Sequence, residues 1–167
     1  MASLIGNYNT PDYAFNLTVV GNYAYVGDGT SGLQIINISN PSSPTLAGTY
    51  NTPGLAQGVQ VIGNYAYVGD NASGLQIINI SNPSSPTLAG TYNTTGSAHR
   101  LQVVGNYAYV ADDTSGLQII NISNPSSPTL VGTIDTPNYA HNVAVVGNYA
   151  YVANNATGLI IIDKWYR

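Results

Sequence analysis

Few side chains in this sequence could carry chemistry. The 167 residues include two histidines, three Lys or Arg residues and seven aspartates, with no glutamate and no cysteine. His99, Arg100 and His141 could contact a polar ligand or move a proton. General acid–base chemistry has few other candidates, and two histidines without nearby carboxylates make a poor metal site. We therefore predict a non-enzymatic protein with no catalytic residues, no cofactor and no metal. A hydrolase or lyase that uses the two histidines together with Asp28, Asp70 and Asp112 is the less favoured alternative.

The composition excludes several classes of partner. Only 6% of the residues are charged and the net charge is −4, so a groove that neutralises nucleic-acid phosphates is not expected. No apolar run is long enough to insert into a membrane. Without cysteine there is no disulfide framework. The remaining polar character comes from Asn, Ser, Thr and Tyr, which together with the low charge favours an all-β protein.

The chain consists of repeats. Gly21, Gly63, Gly105 and Gly147 recur every 42 residues, and each is followed by Asn-Tyr-Ala-Tyr-Val. Residues 31–52 are identical to residues 73–94. Such near-identity indicates recent duplication or deliberate construction, and the sequence does not separate the two. A repeat of this length is typical of β-propeller blades.

Each repeat predicts four short strands. In the fourth copy, Gly147-Asn148 separates two β-rich runs and predicts a two-residue hairpin. The second and third strands are apolar at consecutive positions, so both of their faces should be buried. Sheets buried on both faces describe propeller blades. We predict four four-stranded blades over about 11–52, 53–94, 95–136 and 137–167, with bulky and small faces interlocking.

The two ends of the chain predict how the ring closes. Residues 1–10 align with the fourth strand, whereas the last copy ends in a third strand at Asp163. Residues 1–10 should therefore complete the last blade and remove an exposed edge. The pairing could occur within one chain, which gives a four-bladed monomer, or between two chains, which gives an eight-bladed homodimer. We expect the homodimer, because bulky side chains such as Phe15 and His99 at the centre suit a wider channel.

The repeat resembles a known family. The residues that carry the resemblance are Asn-Tyr-Ala-Tyr-Val, then Gly-Leu-Ile-Ile-Ile-Asp at 158–163, and Asn-Pro-Ser-Ser-Pro from Asn40. They are similar to the LVIVD repeat over essentially the whole chain, although three copies end the third strand Ile-Asn-Ile. The resemblance implies a β-propeller from bacterial or archaeal surface or secreted proteins, hence an extracellular or cell-surface location and an interaction or scaffold role. It implies no shared catalytic residues.

The segments that differ between the copies give the candidate site. They join each outer strand to the next innermost strand and should meet at one mouth of the central channel. We predict that a ligand, if one exists, contacts residues of these segments: Tyr13, Phe15, Asn16, His99, Arg100, Tyr139, His141 and Asn142. Drift in tolerant loops, in a folding unit without a selected ligand, is the alternative. Asp28, Asp70, Asp112 and Asn154 share one repeat position, which indicates turn chemistry or a ring of polar groups.

Overall fold

The computed structural model describes residues 1–164 and confirms an all-β propeller fold. Three four-stranded antiparallel sheets and one three-stranded sheet follow one another along the chain. Within residues 1–164, no helix is long and apolar enough to cross a membrane. Residues 165–167, which the predicted fourth blade includes, lie outside the described residues.

The strands of each blade follow chain order from the innermost to the outermost position. Blade one contains β1 (Asn16–Val20), β2 (Tyr23–Gly27), β3 (Leu33–Asn37) and β4 (Thr45–Tyr50). Blade two contains β5 (Gly58–Ile62), β6 (Tyr65–Gly69), β7 (Leu75–Asn79) and β8 (Thr87–Tyr92). Blade three contains β9 (Leu101–Val104), β10 (Tyr107–Ala111), β11 (Leu117–Asn121) and β12 (Thr129–Ile134). Blade four contains β13 (Asn142–Val146), β14 (Tyr149–Asn154) and β15 (Gly158–Asp163), with a single 3₁₀ turn at Asn155–Thr157.

The Gly-Asn pairs form the predicted hairpins between the first two strands of each blade. Gly63 has a φ of +56°, and no atom lies near the position that a Cβ would occupy. Glycine is therefore favoured there by backbone conformation rather than by lack of space. The register that follows the turn pairs Ile62 with Tyr65 and Val61 with Ala66, so alternate side chains reach opposite faces of the blade.

The core lies between blades, where a bulky face meets a small face as predicted. Tyr25 and Ile35 of blade one belong to the same buried cluster as Val59, Ala66 and Val68 of blade two. Equivalent clusters join blade two to blade three and blade three to blade four. Blades two and three each lie between two such junctions, so both faces of their second and third strands are buried, which explains the consecutive apolar residues of these strands.

Backbone contacts fix the order of the blades around an axis. Isolated antiparallel bridges join each blade to the next at Gly29 and Ala56, Asn71 and Ala98, and Asp113 and Ala140. The first strands of successive blades also pack side by side, β1 with β5, β5 with β9, and β9 with β13. The innermost strands and the segments that precede them are thereby brought to a common centre.

The N-terminal segment and blade four do not pair with each other within the single chain. The sheet of blade four has three strands, and residues 1–10 form no strand in the described chain. Those residues lie instead against blade one, where a Cβ on Gly6 would collide with the carbonyl oxygen of Pro41. In the described residues of the single chain, the N-terminal segment therefore does not close blade four. Closure by a second chain stays a prediction.

Candidate functional site

One repeat position brings side chains of all four blades to a single cavity. Phe15, Gln57, His99 and His141 are separated by 42 residues each and precede the innermost strands. Together with Arg100 they line a cavity of about 240 Å³. Because the innermost strands lie next to one another, the residues just before them meet at one end of the channel. The predicted mouth is therefore a real cavity with a mixed aromatic and basic lining.

His99 makes polar contacts with two other residues at this cavity. Its Nδ1 donates to Gln57 Oε1 at 2.5 Å, and its Nε2 lies 3.8 Å from Asp113 Oδ1. The rings of His99 and His141 are 4.8 Å apart between centroids. Burial lowers the pKa of His99, the positive charges of His141 and Arg100 lower it further, and Asp113 acts in the opposite direction. These surroundings therefore favour the neutral ring.

Arg100 brings a permanent positive charge to the same cavity. Its Nη2 donates to the carbonyl oxygen of Phe15 at 3.3 Å, so the side chain reaches from blade three to blade one. Gly58 holds the equivalent position in blade two, and a Cβ there would lie 2.9 Å from Arg100 Cα. Among the described residues, no carboxylate forms an ion pair with the Arg100 guanidinium. Its charge is available to a ligand.

The other predicted site residues lie outside the cavity lining. Tyr13 is exposed and contacts Phe15, with ring centroids 6.4 Å apart. Tyr139 lines a separate cleft. The side-chain oxygen of Asn16 accepts from Val59 N, and that of Asn142 accepts from Val143 N. The structure thus brings together Phe15, His99, Arg100 and His141 of the predicted set, but not the other four residues.

At the shared aspartate position, Asp70 and Asp112 have an architectural role rather than forming an open ring of carboxylates. Asp70 is fully buried and accepts from Thr52 Oγ1 at 2.6 Å and from Gly54 N at 2.8 Å. Asp112 makes the same pair of contacts with Thr94 and Gly96. Burial raises the pKa of both carboxyl groups, against the effect of these donors. Each aspartate therefore ties its blade to the segment that enters it.

Comparison with known proteins agrees with this architecture. The LVIVD repeat matches residues 11–52, 53–94, 95–136 and 137–163. The chain belongs to the LVIVD repeat family. No curated protein matches it. Among solved structures it is similar to the computationally designed Ika4 protein, with 10% identity over 98% of both chains and a TM-score of 0.78. It is also similar to the computationally designed Ika8 protein, with 9% identity over 96% of this chain and 48% of that chain, and a TM-score of 0.77.

Two residues near the cavity were absent from the predicted site of this LVIVD-repeat chain. Gln57 lines the cavity and Asp113 faces His99. The sequence already places Gln57 at the channel, because it shares the repeat position of Phe15 and both histidines, but Gln57 was not predicted to contact a ligand. Asp113 could not, because its contact depends on how the turn of blade three reaches blade four at Ala140. Within residues 1–164, no group of three potential metal-ligating side chains comes together.

Proposed function

We propose that this propeller is a non-enzymatic binding module whose cavity at the channel mouth takes a small anion, such as a carboxylate or a phosphate. The observation that carries the proposal is the convergence of variable residues. Residues 31–52 and 73–94 are identical, yet the position that lines the cavity carries Phe15, Gln57, His99 and His141 in the four copies. The topology would bring this position together in any case, so the support comes from the residue types: drift in a tolerant loop would not require an arginine and two histidines to line the cavity.

The chemistry of the lining supports an anion. The Arg100 guanidinium has donors left after its single bond to the Phe15 carbonyl. His99 becomes a double donor when it is protonated. An anion in the cavity would favour that protonation, so binding should be tighter at lower pH. Phe15 adds an apolar wall that would suit the carbon chain of a carboxylate.

Calorimetric titration with inorganic phosphate and with succinate tests the proposal. The wild-type chain should bind at least one of these anions, and more tightly at pH 6 than at pH 8. Replacing residues 96–100 with the Gly-Leu-Ala-Gln-Gly of residues 54–58 removes both His99 and Arg100. Because a hydrogen bond to a charged group contributes about 1.5–3 kcal/mol, the swap should weaken binding by roughly tenfold or more.

Two controls make the titration decisive. The swapped segment already occurs in blade two, so the variant should fold, and its melting curve checks this. Tyr139→Ala alters a separate cleft and should leave anion affinity unchanged. Absence of binding by the wild-type chain to either anion would contradict the proposal and favour a folding unit without a selected ligand. Unchanged affinity after the swap would place the anion elsewhere.

A further inference from the structure

The single chain exposes one apolar face at each end of its row of blades. On the outer side of blade one, Leu17 is 59% exposed, whereas its equivalent Val59 in blade two is 5% exposed. On the outer side of blade four, Leu159 is 62% exposed, whereas its equivalent Leu75 is fully buried. The residue types at these positions are still those of a blade junction. Both end faces therefore have the composition of a core without the neighbour that would bury them.

The two exposed faces are complementary to each other. At each internal junction, the bulky face of one blade packs on the small face of the next, as Tyr25 and Ile35 do on Ala66. Blade one exposes a small face and blade four exposes a bulky face, which carries Tyr149 and Ile161. The internal junctions thus show how these two faces would fit together. A second copy of this chain offers the matching face at each end.

The N-terminal segment already lies where a preceding blade would place its fourth strand. Gly48 in β4 packs so closely on blade two that a Cβ would collide with the carbonyl oxygen of Pro83. Gly6, 42 residues earlier, stands in the same relation to Pro41 of blade one. Residues 1–10 therefore occupy the outer-strand position of a blade whose first three strands are missing.

A cleft remains between the N-terminal segment and blade one. Its volume is about 420 Å³, and it is lined by residues that include Tyr8, Leu17, Ala24, Val26 and Ile36. The lining belongs to the small face of blade one and to the N-terminal segment that flanks it. The first three strands of a preceding blade would fill this space, and in the described residues blade four consists of three such strands, which another chain could supply.

We propose that two copies of the chain close into an eight-bladed ring, in which residues 1–10 of each chain form the fourth strand of the partner's last blade. The repeat fixes the register. Because Leu33 pairs with Tyr50, Gln34 with Thr49 and Ile35 with Gly48, a shift by whole repeats gives the intermolecular pairs. They are Leu159 with the partner's Tyr8, Ile160 with the partner's Asn7, and Ile161 with the partner's Gly6.

Two copies satisfy the geometry better than one or three. In the single chain, the described residues form no bridge between Asn155 and Ala14, the pair equivalent to Asp113 and Ala140. Three copies would give a ring of roughly twelve blades, beyond the usual four to eight or so. A two-fold ring is also the commonest closed assembly of identical chains. The four blades superpose on 48% of the chain of the Ika8 structure, so this arc can form part of a longer propeller.

Light scattering after gel filtration tests the assembly. The wild-type chain should have a mass of roughly 35 kDa, twice the 17.4 kDa of one chain. Leu17→Asp places a charge in the proposed interface at a position that is exposed in the single chain, so it should yield a folded species of one-chain mass. Ile62→Asp is the matched control, because Ile62 is 46% exposed within blade two and lies outside the interface. A wild-type mass of one chain at all concentrations would overturn the proposal.

An engineered disulfide tests the register, and the chain has no cysteine of its own to interfere. The side chains of Gln34 and Thr49 are in contact at 2.9 Å, and Ile160 and Asn7 are their repeat equivalents. Asn7→Cys combined with Ile160→Cys should give a covalent dimer on a non-reducing gel. Tyr8→Cys combined with Ile160→Cys is out of register and should cross-link much less. A disulfide within one chain, or equal cross-linking of both pairs, would overturn the proposed pairing.

Discussion

The internal junctions and the end faces of this propeller use nearly the same residues in different surroundings. Ile77 in blade two is fully buried between blades, whereas Ile161 holds the same repeat position in blade four and is 59% exposed. The backbone around both residues is the same antiparallel pairing of a second and a third strand. The comparison shows that every copy of the repeat encodes the same apolar blade face. Whether that face is buried depends on the presence of a neighbouring blade.

The largest expected effect comes from truncating that isoleucine in each setting. Ile77→Ala should lower the free energy of unfolding by about 2–5 kcal/mol, because it leaves a cavity in a packed junction. Ile161→Ala should cost less than about 1 kcal/mol in dilute solution, since exposed positions tolerate such changes. Denaturant unfolding of both variants over a range of protein concentrations measures the difference.

The dependence on protein concentration shows whether Ile161 is buried by a second chain or within its own chain. If a second chain covers Ile161, the destabilisation should grow as the protein is concentrated, because the interface then contributes to stability. A large loss that does not depend on concentration would mean that Ile161 is buried within its own chain. That result would contradict the open faces and also the two-chain ring.

A smaller loss of stability is expected from removing a hydrogen bond that links one blade to the next. Thr52 Oγ1 donates to the buried Asp70, whereas Thr10 Oγ1, its repeat equivalent, donates to the backbone oxygen of Asp12. Thr52→Val should cost about 1–3 kcal/mol, since it leaves a buried carboxylate oxygen without its donor. Thr10→Val should change stability by about 0.5 kcal/mol or less. Thermal melts of the two variants provide the measurement, and equal losses would show that Thr10 stabilises blade one as much as Thr52 stabilises blade two.

The fold was predictable because the sequence patterns that indicate it lie within one repeat and recur in every copy. The Gly-Asn hairpins, the consecutive apolar residues of β2 and β3, and the alternation of Tyr25 with Val26 each depend on local pattern, and all of them are confirmed. The position of residues 1–10 was not predictable in the same way. Their sequence identifies them as a fourth strand, but it does not specify which blade they contact, because that depends on a neighbour that the pattern does not describe.

The candidate site was predictable only in part. Variation between copies identified the segments around His99 and His141, and the propeller topology placed them at one mouth. The topology did not distinguish Phe15, which lines the cavity, from Tyr13, which is exposed to solvent and contacts the ring of Phe15. That difference depends on which side of the entering segment faces the axis. The contact between His99 and Asp113 depends on the packing of two turns, which no single repeat encodes.

The smallest expected effect is the pH dependence that His99 contributes. Burial, His141 and Arg100 hold the pKa of His99 below its ordinary value of 6.5. As the pH falls through that value, the unfolded chain therefore binds a proton before the folded chain does, and stability decreases. His99→Gln introduces the residue found at the equivalent position 57 and removes the contribution of His99 to the pH dependence of stability. The melting temperature of the wild-type chain should therefore fall relative to the variant as the pH is lowered from 7.5 to about 5.5.

Comparing the two proteins in the same anion-poor buffer cancels the contribution of the buried aspartates, whose raised pKa values act in the opposite direction. A difference that stays constant, or that favours the wild-type chain at low pH, would show that Asp113 outweighs burial and that the cavity already stabilises the charged ring.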